Sequence, residues 1–180
     1  MSEAVNNSLI NALSDAEISE IEAEISHLPD RRSAAIDALK IVQRHRGWVS
    51  DSSLSSIAKL LGMSEAELDG IATFYNLIYR KPVGDKVILY CDSVTCWIMG
   101  GDNLSRKIKS KLNIEYGETT ADNKYTLLPV TCLGDCDHAP AMMVGDELHH
   151  DLTEQSIDSL FSDASDDTSN NPIGGETSND

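Results

Sequence analysis

No stretch of this 180-residue chain approaches 18 consecutive apolar residues, so the sequence offers no membrane-spanning helix and no direct membrane insertion is expected. The start, Met1-Ser2-Glu3-Ala4-Val5-Asn6, lacks a basic opening and an apolar core. A secretory signal is therefore not expected, and a cytoplasmic, thiol-reducing setting is. There is no G-x-G-x-x-G and no Walker loop, so dinucleotides, flavins and nucleotides must bind elsewhere. No Ser/His/Asp or Cys/His arrangement suggests hydrolysis, and there is no internal repeat. Residues 125–180 contain no Lys or Arg against 12 Asp/Glu, while residues 1–124 hold all 14 basic residues against 18 acidic ones. These halves carry −12 and −4 of the net −16, which argues against nucleic-acid binding, a process dominated by phosphate neutralisation. The last twenty residues read mainly as a solvated acidic tail.

Against these absences stand four cysteines in two short loops. Cys91-Asp92-Ser93-Val94-Thr95-Cys96 places four residues between thiols, and Cys132-Leu133-Gly134-Asp135-Cys136 places three. Neither has the C-x-x-C spacing of a thioredoxin-type redox pair. Four thiolates in two loops can surround one metal centre. A [2Fe–2S] cluster takes four cysteines, and its plant-type pattern opens with C-x4-C. Structural zinc also takes all-cysteine sites with two to four residues between ligands. Disulfides or unliganded thiols rank third in a reducing compartment. Asp92, Asp135 and Asp137 flank the thiols, which is not the composition of a core. Carboxylates there oppose added negative charge and are expected to lower the potential of a redox centre. A Rieske centre needs two histidines near cysteines, and only His138 is close. His138, His149 and His150 are read as non-ligands.

The remainder reads as scaffold. Ser14-Asp15-Ala16-Glu17 is a capping-box signature, followed by Ile18, Ile21, Ile25 and Leu28 at helical spacing up to Pro29. Further helices are expected over residues 31–45, with Ala35, Leu39 and Val42 inward, over 52–61 with Gly62 just beyond, and from the capping box at Ser64–Glu67 to Tyr75. The third and fourth resemble a helix-turn-helix, but the fourth offers Glu65, Glu67 and Asp69 and no basic residue, so helical packing is the better account. Residues 80–85, with Pro82 and Gly84, read as a linker. Beyond it, 86–90 is a buried strand running into Cys91. A helix over 102–112 follows, with Leu104, Ile108 and Leu112 inward and Lys107 and Lys111 outward. A strand over 125–130 then leads to Cys132, a hairpin spans 141–144 and 147–150, and a short helix covers 153–160. Both cysteine loops thus start at the C-terminal ends of strands, the rim where open α/β sheets bind ligands. Gly134 is expected to let the backbone pass close to the centre. The fold class is α+β, an N-terminal helical bundle followed by a thioredoxin-like α/β domain.

The cysteine motifs, extended as C-L-G-D-C-D-H-A-P-A-M-M-V from Cys132 to Val144, have company in the same order upstream. These are G-W-V at 47–49, L-G-M-S-E-A-E-L at 61–68, G-I-A-T-F-Y at 70–75 and K-P-V-G at 81–84. Together, from about Leu28 to Leu160, they resemble the thioredoxin-like [2Fe–2S] subunit family of the NADH-oxidising module of respiratory complex I, NADH:quinone oxidoreductase. The one local departure is Asp122-Asn123, where relatives often carry glycine, and Asn tolerates a positive φ at a turn. The resemblance implies one [2Fe–2S] cluster on Cys91, Cys96, Cys132 and Cys136, with no catalytic site on this chain itself. It implies an electron-transfer role in an oxidoreductase, beside an NADH- and FMN-binding partner subunit and its neighbours in the cytoplasmic peripheral arm of a membrane-bound complex. FMN and NADH would sit on the partner. It also suggests Phe74 and Tyr75 as docking anchors. The expected layout is a disordered N-terminus over 1–13 and a disordered acidic tail over 162–180, both outside the resemblance, with a helical docking domain over 14–80 and a [2Fe–2S] domain over 81–161 between them. The nearest alternative is the equivalent subunit of an NAD-linked hydrogenase or formate dehydrogenase. More remote are a zinc-binding structural adaptor and a redox-responsive regulator.

Overall fold

A computed structural model describes residues 12–162, which fall into two compact units divided between Asp85 and Lys86. Of the segments expected to be disordered, residues 1–11 and 163–180 lie outside the described residues, while Leu13 packs into the first core.

The first unit is helical: α1 (Asp15–Ser26), a 3-10 turn (Arg31–Ala34), α2 (Ala35–Arg46), α3 (Asp51–Leu61) and α4 (Glu65–Phe74). The capping boxes at Ser14–Glu17 and Ser64–Glu67 both form, each satisfying backbone N–H groups that a helix start leaves open. The second helix starts four residues later than its periodicity predicts. Asp30 accepts from the Arg32 N–H at 3.1 Å and closes a tight turn before the α-helix begins at Ala35. After α3 the chain reverses through Gly62 at φ +67°, with the Met63 N–H donating back to the Ala58 carbonyl at 2.9 Å. Ile21, Leu39, Val42, Leu54, Ile57, Leu61 and Leu68 form the core. Glu17 is buried among them and receives the guanidinium of Arg46, with Nε 2.6 Å from Oε1. Arg80, expected in the linker, belongs to this unit and bonds Asp69 at 2.9 Å and Asp51 at 2.7 Å.

The second unit contains β1 (Lys86–Cys91), α5 (Val94–Ile98), α6 (Gly101–Leu112), β2 (Tyr125–Val130), a 3-10 turn (Cys136–His138), β3 (Met142–Val144), β4 (Glu147–His149) and α7 (Glu154–Leu160). The sheet order is β2-β1-β3-β4. β1 and β2 are parallel, from Lys86 opposite Tyr125 to Cys91 opposite Val130; β3 runs antiparallel to β1 and β4 to β3. Parallel neighbours need a crossover, and α6 lies within it, burying Leu104, Ile108 and Leu112 against Ile88, Leu127 and Phe161. Lys107 and Lys111 do not simply face out. Both reach Asp158 on α7, at 2.6 and 3.5 Å, and fasten the last helix to the crossover helix. Asn123 takes φ +59° in the turn before β2, as a short polar side chain permits. Among the described residues no helix is long and apolar enough to cross a membrane.

Candidate metal centre

The parallel register brings the cysteines together. β1 ends on Cys91 and β2 on Val130, its partner, so both cysteine loops leave the same edge of the sheet. The Asp92 N–H donates to the Val130 carbonyl at 2.8 Å, which ties the two exits to each other. The first loop contains α5, which carries Cys96 inward. Cys91 and Cys96 are buried; Cys132 and Cys136 are exposed.

The four thiols form one connected group. The Cys132 and Cys136 sulfurs are 3.8 Å apart, and Cys91 interacts with both Cys96 and Cys132. Burial pushes the Cys96 thiol up to about 11, against a lowering hydrogen bond from the Ala141 backbone. The Gly134 N–H, 3.3 Å from Cys132 Sγ, holds that thiol below its ordinary range, and contact with Cys132 raises Cys136. Gly134 has φ +82°, and no protein atom lies within 4 Å of where its Cβ would be. The left-handed backbone at Gly134 aims its N–H at sulfur, a conformation that glycine adopts without strain. The ring nitrogens of His138 face carboxylates: Nδ1 is 3.2 Å from Asp151 Oδ2 and Nε2 3.6 Å from Asp137 Oδ2. His150 Nδ1 lies 3.0 Å from Asp151 Oδ2, and His149 Nε2 lies 3.8 Å from Glu147.

Known proteins share this fold. The profile of the thioredoxin-like [2Fe-2S] ferredoxin family matches residues 21–165. The chain belongs to the thioredoxin-like [2Fe–2S] ferredoxin family. Within that family it is similar to the E subunit of NADH-quinone oxidoreductase. The Escherichia coli K12 protein of that name is 49% identical over 149 residues, covering 83% of this chain and 90% of the relative. Its counterpart from Pseudomonas aeruginosa PAO1 is 47% identical over the same shares. A solved structure, an NAD+-reducing [NiFe]-hydrogenase in the air-oxidized state, superposes with TM-score 0.63 over 73% of this chain at 22% identity. That match spans 22% of the hydrogenase chain and speaks for the fold alone.

Membership in the [2Fe–2S] family implies one cluster, and the donor set fits it. Four sulfurs converge, the nitrogens of nearby His138 face carboxylates, and a backbone N–H is already directed at a sulfur. Several supporting residues emerge only in three dimensions. The Thr95 hydroxyl contacts the Cys136 sulfur and so bridges the two cysteine loops. The Tyr90 hydroxyl donates to the Gly101 carbonyl at 2.6 Å, and burial raises its phenol strongly. A Cβ on Gly101 would sit 2.6 Å from the Cys96 carbonyl oxygen, so only glycine lets α6 start directly beneath α5. The signal for Thr95 is a hydroxyl inside C-x4-C, whereas Tyr90 and Gly101 act through a contact that spacing does not reveal.

Proposed function

We propose that this chain is the [2Fe–2S] electron-transfer subunit of the NADH dehydrogenase module of an NADH:quinone oxidoreductase. Cys91, Cys96, Cys132 and Cys136 hold the cluster, and FMN and NADH are carried by the partner subunit in the peripheral arm of the complex. The carrying observation is the convergence of four thiols at the ends of two parallel strands, in a chain 47–49% identical to NADH-quinone oxidoreductase relatives. When bound, the cluster accepts and releases one electron, and its fixed thiolates keep the accompanying rearrangement small. The chain's own residues supply the rest. The strand ends fix the ligand loops, the Gly134 N–H stabilises negative charge on Cys132 sulfur, and Thr95 does the same for Cys136.

Contact with a partner is supported by two exposed apolar surfaces, one on each unit. Phe74, Tyr75 and Leu77 are exposed in the first, with Phe74 80% accessible. Val94, Trp97, Ile98 and Met99 are exposed on and just after α5, in the helix that carries Cys96. Side chains of this kind dominate interface centres. The chain would be reduced chemically, freed of reductant and mixed anaerobically with its oxidised NADH- and FMN-binding partner subunit. Bleaching of the flavin is expected, complete only with about two reduced chains per flavin because each cluster delivers one electron. A stable complex with no electron exchange would favour the zinc adaptor and contradict the proposal.

A further inference from the structure

We propose that His138, His150 and Asp151 form a surface site for a divalent cation of the imidazole-binding class, with Zn2+ the simplest occupant. The cysteine assignment does not use these residues, and the inference stands apart from it. His138 Nδ1 and His150 Nδ1 lie 3.2 and 3.0 Å from the same carboxylate oxygen, Asp151 Oδ2. One donor atom from each of the three residues falls within 4.8 Å of the others, and all three side chains are exposed. Donors about 2.0–2.1 Å from a tetrahedral ion stand roughly 3.3 Å from one another, so the two nitrogen–oxygen spacings are near those of a ligand set. Two imidazoles and one carboxylate leave a fourth position for water, the arrangement of three-ligand zinc sites.

Two further features favour a cation. The imidazole rings are set edge to face, with centroids 4.9 Å apart and planes at 64°, so that both Nδ1 atoms meet one oxygen instead of stacking. On the far side of His138, Asp137 Oδ2 lies 3.6 Å from Nε2. That is beyond a hydrogen bond, but a small side-chain rotation makes it the outer carboxylate that commonly orients a metal-bound histidine. The three residues come from the turn after Cys136 and from the segment joining β4 to α7. The Asp151 N–H, donating to the His138 carbonyl at 2.8 Å, joins these segments. The competing account is a carboxylate accepting hydrogen bonds from two imidazoles with no ion.

The test uses the full chain loaded with its iron–sulfur cluster. Zn2+ is titrated in competition with a chromophoric chelator into the wild type, His150→Ala and Asp151→Asn. Asn tolerates the positive φ of residue 151, +48°, so the second variant preserves the backbone. One Zn2+ per chain is expected, with affinity at least about tenfold lower in both variants and iron content unchanged in all three. Absorption spectroscopy at the zinc edge should show nitrogen and oxygen neighbours and no sulfur. Equal affinity in the wild type and both variants, no binding by the wild type, or zinc surrounded by sulfur with loss of iron would each overturn the site.

Discussion

Asp135 keeps its Oδ2 buried without a hydrogen-bond partner, whereas the side chain of Asp137 is 81% exposed and Asp92 is exposed as well. The sequence presents three equivalent carboxylates around the cysteines; burial separates them. A charge several Å from an added electron is worth on the order of 1–2 kcal/mol at an effective dielectric of ~20, and far less once water surrounds it. For a one-electron couple this is about 50–100 mV, since a tenfold change in equilibrium is about 59 mV. Asp135→Asn is therefore expected to raise the cluster potential by tens of millivolts in a spectroscopic redox titration, and Asp137→Asn to leave it within error. Equal shifts in the two variants would mean that burial does not distinguish them. The thiols themselves are legible from spacing alone. What spacing does not show is which neighbours face water, because that depends on how the loops fold back on the sheet.

At the scale of elements, the alternation of apolar residues and the capping motifs locate nearly every helix and strand. Misplacements occur where a contact distant in sequence decides. Residues 31–34 continue a helical pattern, yet Asp30 turns them into a 3-10 start. Lys107 and Lys111 look like a solvated face until Asp158 of α7 is brought beside them. Gly101 looks like part of a polar loop until α5 is placed over it. Gly101→Ala must move backbone to relieve a 2.6 Å contact with the Cys96 carbonyl, a strain of roughly 1–3 kcal/mol. Lower melting temperature and faster loss of iron on dilution are expected. Gly100→Ala, strained only by its φ of +92°, makes no such contact.

The Glu17–Arg46 pair joins α1 to α2 with one partner fully buried. Burial raises the Glu17 carboxyl, but hydrogen bonds from Arg46 and Ser14 outweigh it and leave the group below its ordinary value of 4.5. A depressed folded value means stability that is present above 4.5 and lost as pH falls through the folded value. Unfolding of the first unit is expected to become easier below about pH 4.5, and Glu17→Gln should flatten that acid limb. Arg46→Ala leaves the carboxylate buried and unpaired. The loss expected in urea unfolding at neutral pH is about 2–4 kcal/mol, under the ~3–5 of a fully buried pair, because a third of the Arg46 side chain is exposed.

For the whole molecule, the helical unit contains a complete core of its own and none of the cysteines, while the second unit holds all four. On the function proposed above, the first unit would serve docking and the second electron transfer. The exposure of Phe74 and Leu77 makes them the expected anchors. Phe74→Ala with Leu77→Ala should weaken binding of the flavin subunit by about thirtyfold or more, the ~1–2 kcal/mol of each truncated anchor combined, without changing iron per chain. Undiminished recovery of the partner would move docking to another surface, such as that on α5.

The most direct test of the account counts iron and acid-labile sulfide per chain in the wild type, in Cys91→Ser, Cys96→Ser, Cys132→Ser and Cys136→Ser, and in His138→Ala. A serine oxygen is a poor substitute for a soft thiolate. About two iron and two sulfide per chain are expected in the wild type and in His138→Ala, with loss or severe instability of the cluster in every serine variant. A full complement of iron and sulfide in any serine variant, loss of both in His138→Ala, or zinc in place of iron in the anaerobically purified wild type would contradict it.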